Sequence, residues 1–199
     1  MMRLANVAEP TDIDALADAI AIDGHPLITD LFRSNGLPPP RLDWDPAPET
    51  LAMTKHRALL RYWRSLRQGR DIPAYTDIDP LDMRFALGSL ALAETVDGGL
   101  DFRYRVYGTD LVDRSGYDLT GRYASDVPCF LASFFIACYR AVSRRRAPLY
   151  ANYGTPITPD VRDWHGLSVP LACPEGVPVR FLTCMLPGEP RSPAERFRH

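Results

Sequence analysis

Four histidines, four cysteines and several groups of carboxylates are the residues of this 199-residue chain best suited to chemistry, and their spacing argues against most kinds of site. His25, His56, His165 and His199 stand far apart, with no His-x-x-x-His, His-Glu or Cys pair to hold a metal. Asp77, Asp79 and Asp82 read as turn caps rather than cation ligands, since short carboxylates accept the free amides at helix starts. Asp160, Asp163 and His165 have the right types for an acid and base pair, with Tyr139 as a further proton carrier, and a solvated loop is the alternative for the first three. Ser168 is near His165 in sequence but lacks the glycine pattern of a nucleophile elbow. Gly108, Gly116 and Gly121 are spaced too irregularly for a phosphate loop and suit positions of positive φ instead.

Cofactor chemistry is restricted in the same way. Haem needs an axial donor, usually histidine, and none falls between residues 101 and 164, where the helical wall of a pocket would form. A cysteinyl-flavin adduct needs a reactive thiol in a polar segment, whereas Cys129 follows Pro128 and Cys138 lies between Phe135 and Tyr139. Neither haem nor a flavin adduct is expected. Cys129, Cys138, Cys173 and Cys184 read as small buried hydrophobes in a reducing compartment.

The bulk composition sets further bounds. With 23 basic and 25 acidic side chains the net charge is -2, which gives no field to draw the protein onto nucleic acid or an anionic membrane. Arg140 and Arg144 to Arg146 fall where a helix ends, and cations there complement the negative end of its dipole. No basic leader with an apolar core opens the chain, and no stretch approaches the roughly 18 apolar residues needed to span a bilayer. A cytoplasmic protein without membrane or nucleic-acid partners is the expectation.

The elements that would position any site follow from periodicity. Ile13, Leu16, Ala17 and Ile20 recur at helical spacing behind Thr11 as a cap, and a turn at Asp23-Gly24 leads to a second apolar patch at 26–32. Pro38-Pro39-Pro40 reads as a linker or extended arm. A helix opening at Glu49-Thr50 carries the stripe Leu59, Tyr62, Trp63 and Leu66, ending at Gln68-Gly69. Asp97-Gly98-Gly99 predicts a hairpin turn, followed by an alternating strand with Phe102, Tyr104 and Val106 on one face and Arg103, Arg105 and Tyr107 on the other. Leu131, Phe134, Phe135, Cys138 and Val142 mark a helix with a broad apolar face. Three β-rich runs, 149–157, 166–173 and 177–186, predict a meander, with Asp160 to His165 as a connection.

The Tyr62-Trp63 helix, the Ile78-Asp79-Pro80 turn, the strand from Phe102 to Gly108-Thr109 and the Asp118-Leu119-Thr120-Gly121 segment together resemble a bacterial family of stand-alone PAS-like domains without a general assigned function. The resemblance covers about residues 50–186. It implies an α+β fold, a five-stranded antiparallel sheet with helices packed on one face, extended by residues 1–49 and a tail at 187–199. It also implies a sensory or protein-interaction module in signalling.

A sheet closed by helices leaves room between the layers, and here the lining would come from Phe102, Tyr104, Leu131, Phe134, Phe135, Tyr139, Leu171 and Leu182. These residues either line a pocket for a small apolar ligand or simply fill the core. No kinase, cyclase or recognition-helix motif follows the last strand, so a signal is expected to leave through a protein partner or a second copy. The N-terminal amphipathic helix needs a surface to cover, either on its own domain or across a dimer. Two alternatives remain at this point: an enzyme with Asp163, His165 and Tyr139 as acid and base groups, and a purely structural dimerisation module.

Overall fold

The Asp97-Gly98-Gly99 turn closes a hairpin through three consecutive positive φ values, 47°, 67° and 96°, the conformation that its glycines make accessible. It joins β2, Leu90–Val96, to β3, Asp101–Tyr107. The computed structural model describes residues 10–22, 26–158 and 160–191. The Asp23-Gly24 turn, His25, Pro159, His199, the tail beyond residue 191 and the Thr11 cap side chain lie outside the described residues.

The remaining elements are α1 (Pro10–Ala21), α2 (Pro26–Ser34), β1 (Arg41–Trp44), α3 (Thr54–Ser65), α4 (Thr109–Ser115), α5 (Leu131–Arg145), β4 (Leu149–Gly154), β5 (Asp163–Ala172) and β6 (Pro178–Pro187). The strands form one antiparallel sheet of six, in the order β1-β4-β5-β6-β2-β3, where the resemblance implied five. The additional strand is β1, which pairs with β4 from Arg41 opposite Asn152 to Trp44 opposite Leu149. It belongs to the supposed proline arm, and its four residues are too few to show an alternating pattern between prolines. The helix expected from Glu49-Thr50 is instead a 3-10 turn, Pro48–Thr50, and α3 begins at Thr54.

Helices cover both sheet faces, not one. On the first face α5 packs its buried Leu131, Phe134 and Ala137 against Ala91, Ala93, Phe102, Tyr104 and Phe181. On the second, Leu59, Leu60 and Trp63 of α3 meet Leu167, Val169, Leu171, Leu182 and Cys184, and the Trp63 Nε1–H donates to the Pro170 carbonyl at 2.7 Å. Successive strand residues point to opposite faces, so two apolar layers require apolar residues at every position, as in Phe181-Leu182.

The N-terminal helix covers its own domain. Ile13, Leu16, Ala17 and Ile20 of α1 are buried in the same core as α5, and the arginines expected to serve the helix dipole also grip α1. Arg144 pairs with Asp14 and Asp18, the Arg145 guanidinium donates to the Ala21 carbonyl at 2.8 Å, and it also lies 4.5 Å over the Trp44 ring. Trp44 Nε1–H donates to the Ile20 carbonyl at 2.9 Å, tying β1 to α1. The chain thus runs from one sheet face, along the sheet edge, to α3 on the other.

Candidate functional site

Alternation along β3 is broken by a bulge. Leu92 pairs with Val106 but Ala93 pairs with Tyr104, leaving Arg105 as the inserted residue. The insertion reverses the last two side chains: Val106 is 47% exposed, and Tyr107 turns in beside Tyr104, their ring centroids 5.5 Å apart. The outward face expected from Arg103, Arg105 and Tyr107 is therefore built from Arg103, Arg105 and Val106.

Beside α5 lie two voids of about 30 Å³ each, the first against the sheet and the second against residues 115–128 and 155–158, with Phe135, Tyr153 and Met185 as shared walls. Tyr104, Phe134, Phe135 and Tyr139 line the first, and Leu131 and Phe135 the second. Phe102 fills the core beside them, its ring centroid 5.0 Å from Tyr139 and 5.3 Å from Phe181. Leu171 and Leu182 line neither, because they point to the α3 face of the sheet. Each void has room for on the order of one or two water molecules. Small ligands generally occupy about 300 Å³ or more.

The walls carry hydroxyls that the sequence reading missed, chiefly Tyr107, Tyr153, Ser168 and Thr183. Tyr153 occupies the strand position facing α5, alternating with Tyr150 on the other face, and a known sheet register would have found it. Burial disfavours the phenolate, holding Tyr104 and Tyr153 well above the ordinary phenol value and pushing Tyr107 to about 12. Burial also raises Tyr139 and the Cys138 thiol, so this interior offers neutral donors and acceptors, not anions. Ser168 and Thr183 share a hydrogen bond of 2.9 Å.

The acid and base trio of Asp163, His165 and Tyr139 is not assembled. Tyr139 faces the voids, whereas Asp163 and His165 lie in β5, not in a connection, with His165 beside Tyr150 on the opposite face. Tyr150 Oη is 2.6 Å from His165 Nδ1, and His165 Nε2 is 3.5 Å from Asp163 Oδ2, which also accepts from the Asn152 amide. These contacts join Tyr150 and Asn152 of β4 to Asp163 and His165 of β5, linking adjacent strands as cross-strand pairs do.

His56 completes that face. It is fully buried, with Nε2 3.1 Å from the Cys184 carbonyl and no hydrogen-bond partner for Nδ1 among the described residues. Burial lowers its pKa to about 4. A second polar group joins Lys55 Nζ to Ser89 Oγ at 2.9 Å and Ser89 Oγ to Asp110 Oδ2 at 2.8 Å. There the lysine donates to the serine and the serine to the carboxylate. A Cβ at Gly108 would stand 2.2 Å from the Gly88 carbonyl oxygen, so that glycine is required for the two loops to meet. Asp79 caps a turn as expected, accepting from the Leu81 amide at 2.9 Å, and Asp77 accepts from the Ala74 amide at 2.9 Å. Among the described residues no three His, Cys, Asp or Glu side chains gather to hold a metal.

An antiparallel sheet, a long helix across one face and short helical turns after the first hairpin follow the order implied by the sequence resemblance, with β1 as an added sixth strand. A family model described as a PAS domain matches residues 52–185. This chain belongs to the PAS domain family. The matched span starts just before α3 and ends within β6, so α1, α2 and β1 lie outside it while packing onto it. No curated protein sequence matches the chain. A PAS domain of this kind is a sensory or interaction module, and among the described residues no helix is long and apolar enough to cross a membrane.

Proposed function

We propose that this PAS domain acts in bacterial cytoplasmic signalling as an interaction module, passing its signal through contact with a regulatory protein or a second copy. The observation that supports this reading is the closure of the interior to voids of about 30 Å³. A cofactor of haem or flavin size has no room without displacement of Phe134, Phe135 or Tyr139, and tightly packed cores resist such displacement. The separation of Tyr139 from Asp163 and His165 weighs against the enzyme alternative. Burial of the apolar stripe of α1 on α5 weighs against a dimer built on that stripe.

A second reading, a small apolar ligand in these voids, draws on Tyr153. This residue is 5% exposed and walls both voids, and burial keeps its hydroxyl in the neutral, donating form. A compact ligand carrying one acceptor would pair with it. Native mass spectra compared with the denatured mass, together with an absorbance spectrum, separate the readings. No added organic mass supports the interaction module, and a stoichiometric added mass overturns it in favour of a ligand sensor.

A further inference from the structure

Apart from the tyrosine-lined interior, a cleft of about 500 Å³ opens between the β2–β3 turn, the start of β6, α5 and α1. Its size is that of a small organic molecule. Leu100, Phe102 and Val177 supply apolar lining, and Asp14, Arg140 and Arg144 supply charge. Leu100 is 62% and Val177 55% exposed, so two large apolar side chains are held in water at the ends of adjoining hairpins.

The charged part of the cleft is built, not incidental. Arg140 is only 8% exposed, and its Nε and Nη2 donate to the carbonyls of Gly99 and Leu100 at 2.8 and 3.0 Å, which fixes the guanidinium against the hairpin turn. Its Nη1 meets Asp14 Oδ1 at 3.0 Å, and Arg144 Nη2 reaches the same oxygen at 2.6 Å. One carboxylate is thus held between two guanidiniums beside an apolar wall, and guanidinium is the side chain best matched to carboxylate geometry. Asp14 is 53% exposed, which makes this ion pair accessible to competition from solution.

We propose that the cleft binds a small carboxylate with a short aliphatic or aromatic body, which takes the place of Asp14 on Arg140 and Arg144 and loosens α1 from α5. The body lies on Leu100 and Val177, and the carboxylate replaces the Asp14 carboxylate that meets Arg140. Asp18 still pairs with Arg144, and Ile13, Leu16 and Ala17 still pack on α5, so α1 is loosened without being cast off. This site does not depend on whether the interior voids take a ligand.

The test is a titration of the full chain with hexanoate and, separately, with acetate, followed by two-dimensional NMR and amide exchange. Saturable shifts at Leu100, Val177 and Arg144, with faster exchange across α1, are expected with hexanoate. Acetate is expected to bind at least about tenfold more weakly, since each fully buried methylene is worth about fourfold in affinity. Leu100→Glu and Val177→Glu, both at exposed positions, should weaken hexanoate binding while leaving the spectrum folded, and Asp14→Asn should tighten it by removing the internal competitor. Absence of saturation at millimolar hexanoate, binding by both Glu variants as tight as that of the native chain, or weaker binding by Asp14→Asn would overturn the site. Saturable binding without faster exchange in α1 would overturn the displacement.

Discussion

The two faces of the same sheet are filled by different means. Against α3 the buried layer is mainly aliphatic, with Leu59, Leu60, Val169, Leu171 and Leu182 around the indole of Trp63, and His56 is buried beside it. Against α5 it is aromatic, with Phe102, Tyr104, Phe134, Tyr139, Tyr153 and Phe181 in contact and two small voids left between flat rings. Branched aliphatic side chains interdigitate, whereas rings that prefer edge-to-face contact leave gaps at their corners. The α3 face therefore acts as the anchor, and the α5 face is where a change of packing or a small guest is least costly.

If this contrast is right, removing the anchor should have the largest effect. Trp63→Ala deletes a buried ring and leaves the Pro170 carbonyl unpaired, which should cost about 3–5 kcal/mol of stability in chemical denaturation. A loss under about 1 kcal/mol would mean that the α3 layer is not tightly packed.

Lowering the pH tests the same layer without a substitution in the apolar core. His56 has a pKa depressed from 6.5 to about 4 in the fold, so the unfolded chain takes up its proton first. Its contribution is complete above pH 6.5 and is lost as pH falls toward 4, by on the order of 3 kcal/mol at the end of that window. Denaturation midpoints measured across this range should fall steeply in the native chain and less in His56→Gln. Parallel curves would show that other groups carry the pH dependence.

The smallest effect belongs to the α5 face and has the opposite sign. A methyl at Gly166 would meet no heavy atom closer than 3.9 Å and would project toward the first void. Gly166→Ala should therefore stabilise the fold by about 0.4–1 kcal/mol, chiefly by restricting the unfolded chain. Destabilisation would show that the gap is needed.

Much of this architecture was readable from residue patterns, and the exceptions have identifiable physical causes. The hairpin at Asp97-Gly98-Gly99, the α3 stripe and α5 were visible because turn chemistry and helical period act locally. The assignment of Leu171 and Leu182 to the voids failed because strands covered on both faces lose the alternation that would show which way each side chain points. Tyr107 was placed outside because a one-residue bulge reverses the rest of the strand, and nothing in the order of residues 101–107 marks Arg105 as the inserted one. The edge strand β1 was hidden by its length. His165 and Tyr139, which looked like partners in a list of reactive groups, are on opposite sides of the sheet.

The interior beside α5 is packed down to voids of about 30 Å³, and native mass spectrometry of the purified chain, with its denatured mass and absorbance spectrum alongside, tests most directly whether it holds a ligand. The expected result is a native mass equal to the polypeptide mass, or to a whole multiple of it, with no chromophore band. A bound organic mass in stoichiometric amount, retained in the Leu100→Glu variant, would place a ligand in the tyrosine-lined voids and contradict it.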